Sequence, residues 1–498
     1  MGRGIASIVA AGIFLAGEAR ADSGWREIQG PHVVLRTDLG SGAAREAAVT
    51  VERFRAQIIA AAWPRATLPA VDRIEVTVFA NGLDFERHFG RNIAGVFFHE
   101  VPPFAVMYGH PAKWEHRASL ATPETTSVLR HELVHHLAAS IYRRQPRWFS
   151  EGLAQFLETV RTSDDGKSVV VGAANLDAMQ KYRSYRSLTV ADALAWSGKL
   201  DALPEATLHG LYGLSWVMVH WLYNEHSEQF AQFQALLAKG IDPDKAWKII
   251  LPGLNTPDLD AAVNQYVRHG NYQEYLAPFV DPNPPLQESP LGEADVHAER
   301  ARVAMAAARS STDRASHEKE AQEELATALK IDPSAASALV LRFGLAAPKD
   351  RAAIARQLTE AHPEDGRGWL LLGEALREGG ASPEREAALK KAVALRPEDP
   401  TALNNLAWVY LQQGKPGDAA PLISKALQVA PYDPYTLDTL AATQAMLGKC
   451  SEAVASQSRA LETLPERASA TRRRGYEERL DRYRTRCTSA AAATPGGG

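Results

Sequence analysis

The sequence predicts an α+β domain followed by an all-α solenoid of helical repeats. Strand-like and helical patterns alternate from Trp25 to about Leu276, with the strands early and the helices late. Beyond a proline-rich stretch the chain is almost pure helix, and within it residues recur with a period of 34. A chain of 498 residues is too long for one core, so two or more domains are expected. With 45% hydrophobic and 23% charged residues and a formal net charge of -4, no strong field points to nucleic acid or acidic lipid as a partner.

Residues 1–21 read as a targeting segment. Arg3 supplies the positive start, "IASIVAAGIFLAG" the apolar run, and Ala19-Arg20-Ala21 a small-x-small cleavage site with Asp22 as the mature start. The run is too short for a membrane span, so the product is expected to be exported and soluble, without a transmembrane segment.

Residues 22–276 form the first domain. "HVVLRTD" (32–38) and "RIEVTVFA" (73–80) alternate as strands, and "AAREAAVTVERFRAQIIAAAW" (43–63) has helical spacing between them. "LDFERHFG" opens a helix, and "AGVFFHE" and "PFAVMYGH" (103–110) read as paired strands. "GLYGLSWVMVHWLYNEH" (210–226) is a strongly apolar helix. The stretch 277–295 is rich in proline and lacks periodicity. It predicts a linker, and hence a first domain that folds without the rest of the chain.

Residues 296–487 carry the repeat. Pro363, Pro397, Pro431 and Pro465 stand 34 residues apart, and Gly380, Gly414 and Gly448 keep the same step. So do Leu372, Leu406 and Leu440, the small residues Gly373, Ala407 and Ala441, and Ala392, Ala426 and Ala460. Small residues let two antiparallel helices approach, and each proline stops the second helix. The pattern resembles the tetratricopeptide repeat, with units at about 366–399, 400–433 and 434–467. Ala321, Leu325, Ala328 and Pro333 match half of an earlier unit, shortened because Pro333 and Pro363 are only 30 apart. After Pro465 a charged helix reads as a solvated cap, and 488–498 as a disordered tail. The two cysteines, Cys450 and Cys487, fall where they could staple that cap; free buried thiols are the alternative.

The chemistry is concentrated in "RHELVHHLAASIYRRQPRWFSEGLAQFLE" (130–158). Thr122 as N-cap, Pro123 at the first turn and an apolar stripe of Leu129, Leu133, Leu137 and Ile141 predict a helix. His131 and His135 then lie one turn apart on one face, where both imidazoles can reach one tetrahedral ion. Glu132, beside the first histidine, can hold a water at that ion without ligating it. A third ligand is required. Glu151, sixteen residues after His135 in the first turn of a second helix, is the candidate, with Gly152 allowing close packing.

Residues 125–158 resemble the gluzincin group of zinc metallopeptidases, and more narrowly the bacterial peptidase-MA-like domains with a W-x-x-E-G-x-A segment after the zinc helix. The resemblance extends more weakly over 25–275. It implies a zincin-like fold, a Zn2+ ion held by His131, His135 and Glu151, Glu132 as general base, and peptide or protein substrates in a periplasmic or secreted setting. Such enzymes often add a tyrosine or histidine that stabilises the oxyanion. Tyr212 is the first choice, with a core aromatic as the alternative, and His209 and His220 are weaker candidates. His136 is read as packing. Gln155 or Glu158 is expected to orient a ligand histidine. The segment 104–110 is read as the edge strand that would pair with substrate. The repeats are expected to bind a protein partner or recruit substrate. The rival reading is an adaptor of the same fold with little or no activity. Hydrolysis of a non-peptide amide would share the mechanism.

Overall fold

A computed structural model describes residues 24–65, 73–91, 95–98, 104–114, 128–142, 145–185, 187–196, 203–252, 256–270, 272–310, 313–464 and 468–492. The targeting segment, Thr122, Pro123 and the last six residues lie outside them.

The first part of the chain runs β1 (Arg26–Gln29), β2 (Val33–Thr37), α1 (Ser41–Ala62), β3 (Ile74–Phe79), α2 (Gly82–Phe89), β4 (Gly95–Phe98), β5 (Phe104–Tyr108), α3 (Val128–Ile141) and α4 (Arg147–Leu157). Next come β6 (Arg161–Thr162), β7 (Ser168–Val171), α5 (Leu176–Ser184), α6 (Val190–Leu194), α7 (Glu205–Glu225), α8 (Ser227–Ala238), α9 (Pro243–Ile250) and α10 (Thr256–His269). β8 (Tyr275–Pro278) and β9 (Gln287–Pro290) follow.

The main sheet has the order β4-β5-β3-β2-β1-β9. Its centre, β2-β3-β5, is parallel, and β4 and β1 join it antiparallel. Every residue of β3 is buried, as expected for a parallel strand covered on both faces. One face packs α1 through Ala44, Ala48, Val51, Phe54 and Ile58, and α3 through Leu129, Leu133 and Leu137, against Val33, Leu35, Val76 and Val78. On the other face Phe79, Phe104 and Val106 meet Phe85 of α2 and a helix from beyond the proline-rich stretch, α11 (Glu293–Ser310), through Val296, Val303 and Ala306.

The stretch 277–295 is therefore not a free linker. β8 pairs with β7, closing a small sheet β6-β7-β8, and β9 pairs with β1 at the edge of the main sheet. Both strands end in proline and lie at sheet edges, where a missing N–H costs no ladder bond. α11 also completes a buried polar cluster. Arg36 of β2 bonds Glu27, Glu75 and Glu299, and Glu75 pairs with Arg302. Burial alone would raise the Glu75 carboxyl; Arg36 and Arg302 hold it down at about 2.

α11 and α12 (Arg314–Ile331) form the first hairpin, and α13 (Ala336–Leu345) with α14 (Pro348–Ala361) the shortened one. Three pairs then occupy the three expected units: α15 (Gly366–Ala375) and α16 (Pro383–Leu395), α17 (Pro400–Gln412) and α18 (Pro416–Val429), α19 (Pro434–Met446) and α20 (Cys450–Glu462). Ala392, Ala407, Ala426, Ala441 and Ala460 are fully buried, and a Cβ on Gly373 would come within 2.4 Å of Leu389. Small residues thus set the helix–helix distance. Asp365, Asp399 and Asp433, also 34 apart, cap α15, α17 and α19. The cap is α21 (Ala470–Ala492), which continues as helix into the stretch expected to be a disordered tail. Cys450 is disulfide-bonded, and the only other cysteine in the chain is Cys487 on α21.

Candidate metal centre

α3 and α4 pack against each other, and α4 in turn lies on the apolar helix α7. The contact with α7 is unusually close: a Cβ on Gly152 would lie 2.3 Å from Ser215 O and 2.8 Å from Val219 Cγ2. This approach seats the first turn of α4 under α3. Glu151, 9% exposed, then points its carboxylate at the two histidines above it.

The three expected ligands come together. His131 Nε2 and His135 Nε2 are 3.2 Å apart, and Glu151 Oε2 lies 3.5 Å from the first and 3.4 Å from the second. A tetrahedral ion with bonds of about 2.0–2.1 Å sets its ligand atoms about 3.3–3.4 Å apart. The triangle has that size.

The far side of each ring is held. His131 Nδ1 lies 2.6 Å from Glu158 Oε2, and Glu158 Oε1 accepts from Asn175 Nδ2 at 2.7 Å. His135 Nδ1 lies 3.0 Å from Ser150 Oγ. With Nδ1–H directed at Glu158, Nε2 of His131 is the nitrogen that faces the centre of the triangle, where loss of its proton would free a lone pair for an ion. Burial opposes a charge on His131, but Glu151 and Glu158 overcome it and hold its pKa well above the usual range. Burial likewise would raise the Glu151 carboxyl, and the two histidines hold it far below the usual range. The site attracts positive charge.

Tyr212 is on α7 beside this triangle. Burial raises its hydroxyl above the ordinary phenol range, the charges of Glu151 and Glu132 add to the rise, and a hydrogen bond from Arg147 opposes it. Arg147 Nη2 is 4.0 Å from Glu151 Oε1, and its guanidinium stacks over Trp196, which meets the Tyr212 ring edge-on. Glu132 is half-buried on α3.

Of the alternatives, Glu158 is the one that meets a ring of the triangle, at Nδ1 of His131. Gln155 does not: its amide donates to Glu151 O and Tyr212 O and ties α4 to α7. His220 is fully buried, bonded to Tyr266 Oη and Gly172 O, and burial pushes its pKa down to about 4. It is a structural residue. His209 is half-exposed, with Glu205 3.9 Å away on its own helix. His136 is half-buried and outside the triangle. The 104–110 segment is not an edge: β5 lies between β4 and β3, and β4 is the outer strand of the sheet, next to α3. Ser150, Arg147 and Asn175 escaped the sequence reading, because polar residues at helix starts carry no signal of a ring nitrogen across the fold.

Comparison with known proteins gives partial matches. Residues 125–241 match the family described as "Protein of unknown function (DUF1570)", and residues 385–434 match the tetratricopeptide repeat. No match is found among curated proteins. Among solved structures, a thermophilic tetratricopeptide-repeat protein of Thermus thermophilus is 21% identical, covering 37% of this chain and 98% of its own, with a TM-score of 0.28. PilW, described as a widely conserved type IV pilus biogenesis factor, is 20% identical, covering 40% of this chain and 95% of its own, with a TM-score of 0.31. Yeast Tom70 is 10% identical, covering 72% of this chain and 64% of its own, with a TM-score of 0.33. The C-terminal part of the chain is a tetratricopeptide-type solenoid, an architecture that binds proteins.

Proposed function

We propose that the chain is an exported zinc metallopeptidase whose helical repeats engage a protein partner or substrate. The observation that carries the reading is the triangle of His131 Nε2, His135 Nε2 and Glu151 Oε2, with edges of 3.2–3.5 Å. Two nitrogens and one carboxylate are the donor set of an open catalytic zinc site. Held by His131, His135 and Glu151, zinc would supply a Lewis acid for a scissile carbonyl and for a bound water. Glu132, one residue from a ligand, accepts the proton of the attacking water and delivers it to the leaving amine. Tyr212 donates its hydroxyl hydrogen bond to the oxygen that gains charge. Its raised pKa keeps that proton in place at neutral pH. β4, at the sheet edge beside α3, offers backbone groups to an extended peptide.

The test compares zinc content and peptide hydrolysis in three forms of the mature protein. Glu151→Ala is expected to lose about one zinc per chain relative to wild type. Glu132→Gln is expected to keep it and to hydrolyse peptides at least about 100-fold more slowly. Unchanged zinc in Glu151→Ala would remove the ligand assignment, and unchanged turnover in Glu132→Gln would remove the base.

The second reading is an adaptor whose first domain keeps the fold with little or no turnover. It is favoured by the tetratricopeptide match at residues 385–434, which bears on partner binding and not on hydrolysis. Zinc-loaded wild type without activity on any peptide panel, together with capture of a protein by the full chain that is lost when residues 365–498 are removed, would select it.

A further inference from the structure

A second group of histidine and carboxylate ligand atoms lies far from the first centre, where α2 of the sheet domain meets α12 of the first helical hairpin. His88 is on α2, and His317 and Glu320 are three residues apart on one face of α12. One ligand atom from each lies within 4.8 Å of the other two. His88 Nε2 is 3.3 Å from Glu320 Oε1, and His317 Nδ1 is 3.7 Å from Glu320 Oε2. The two rings stack, with centroids 5.7 Å apart at 27°.

Two details point to a ligand. His88 Nδ1 lies 2.9 Å from Asp84 O, so it donates there and its Nε2 lone pair faces Glu320. A backbone carbonyl in this role is how metal-binding histidines are commonly held. His317 is 9% exposed and its Nδ1 is buried without a hydrogen-bond partner. A buried imidazole nitrogen left in that state is costly, and a cation between it and Glu320 would relieve the cost.

We infer that His88, His317 and Glu320 form a second divalent-metal site, of the zinc class, that clamps the sheet domain to the first hairpin of the repeat region. Two imidazoles and one carboxylate suit zinc or another late first-row ion. The two histidines meet different oxygens of Glu320, at 3.3 and 3.7 Å, and Glu320, 40% exposed at its side chain, is the ligand with room to move inward. The role is structural: α2 packs on Phe79 and Phe104 of the sheet, and α12 pairs with α11 over the same face. An ion here makes the placement of the repeats on the sheet dependent on metal. The inference does not rest on the His131 centre.

The test uses the full mature chain, stripped with chelator, reloaded with zinc and desalted. In the Glu151→Ala background, which removes the first centre, about one zinc per chain is expected to remain and zinc is expected to raise the unfolding temperature. Adding Glu320→Gln, a same-shaped neutral change at a half-exposed position, is expected to abolish both, as is His317→Gln. Zinc absent from Glu151→Ala, or retained undiminished after both further changes, would overturn the site. A zinc lost with Glu320→Gln but none with Glu151→Ala would support this site while removing the first.

Discussion

His131 is held by two carboxylates with different tasks. Glu151 faces Nε2 where an ion would sit, and Glu158 takes Nδ1 at 2.6 Å on the other side of the ring. Glu158→Ala removes that acceptor and leaves the Glu151 triangle in place. Zinc affinity is expected to fall about 10- to 100-fold, read by competition with a chelating dye. An unchanged affinity would make Glu158 a packing residue. The sequence carries the histidine pair because its spacing is local: four residues on a helix fix His131 relative to His135 whatever surrounds them. It carries Glu151 through the turn at Pro146 and the glycine that follows it. The choice between Gln155 and Glu158 was not legible, since Gln155 lies in the last turn of α4 and Glu158 caps its end, and only the crossing of α4 with α3 decides which one meets Nδ1. His88, His317 and Glu320 were illegible for the same reason: α2 and α12 are more than two hundred residues apart.

The approach of α4 to α7 depends on one missing atom. Gly152→Ala would place a Cβ 2.3 Å from Ser215 O, a backbone atom that no side-chain rotation can move. α4 must shift, and Glu151, the preceding residue, shifts with it. Stability is expected to fall by about 1–3 kcal/mol in thermal unfolding, with weakened zinc binding. Gly42→Ala is the control. It also lies in a helix, nothing stands within 4 Å of its added Cβ, and it is expected to be neutral or stabilising by up to about 1 kcal/mol. Equal effects of the two would show that Gly152 does not set the approach. The periodic elements were legible because each obeys a local rule: the strand alternation of β2 and β3, the apolar α7, and the 34-residue step of α15 to α20. β8 and β9 were not, because a short strand ending in proline at a sheet edge reads as a linker. The closed face of β5 was also hidden, since strand order is set by pairing at long range.

How the two halves join decides which truncations survive. A linker at 277–295 would allow the chain to be cut at residue 276. The structure argues against that cut. β9 covers the edge of β1, and Val296, Val303 and Ala306 of α11 cover Phe79, Phe104 and Val106. Glu299 and Arg302 complete the charges of Arg36 and Glu75. Without α11, two buried charged side chains lose partners and an aromatic sheet face meets water, each a severe cost. A chain ending at 276 is expected to aggregate or to unfold without a cooperative transition. A chain ending at 364 keeps α11 to α14. It breaks the interface of α14 with α15 and the approach of Gly240 to Tyr432 and Thr463, but leaves the sheet face and the partners of Arg36 and Glu75 on α11 in place. It is expected to unfold cooperatively, to retain zinc at His131, His135 and Glu151, and to lose capture of any partner that binds the three regular repeats. Unfolding followed by near-ultraviolet circular dichroism, beside zinc content, separates the cases. Cooperative unfolding of the 276-residue chain would mean that α11 rests on a core complete without it. Its failure beside a folded 364-residue chain would place the boundary inside the helical array. The first hairpin would then belong to the sheet domain, and the protein-binding solenoid would begin after it.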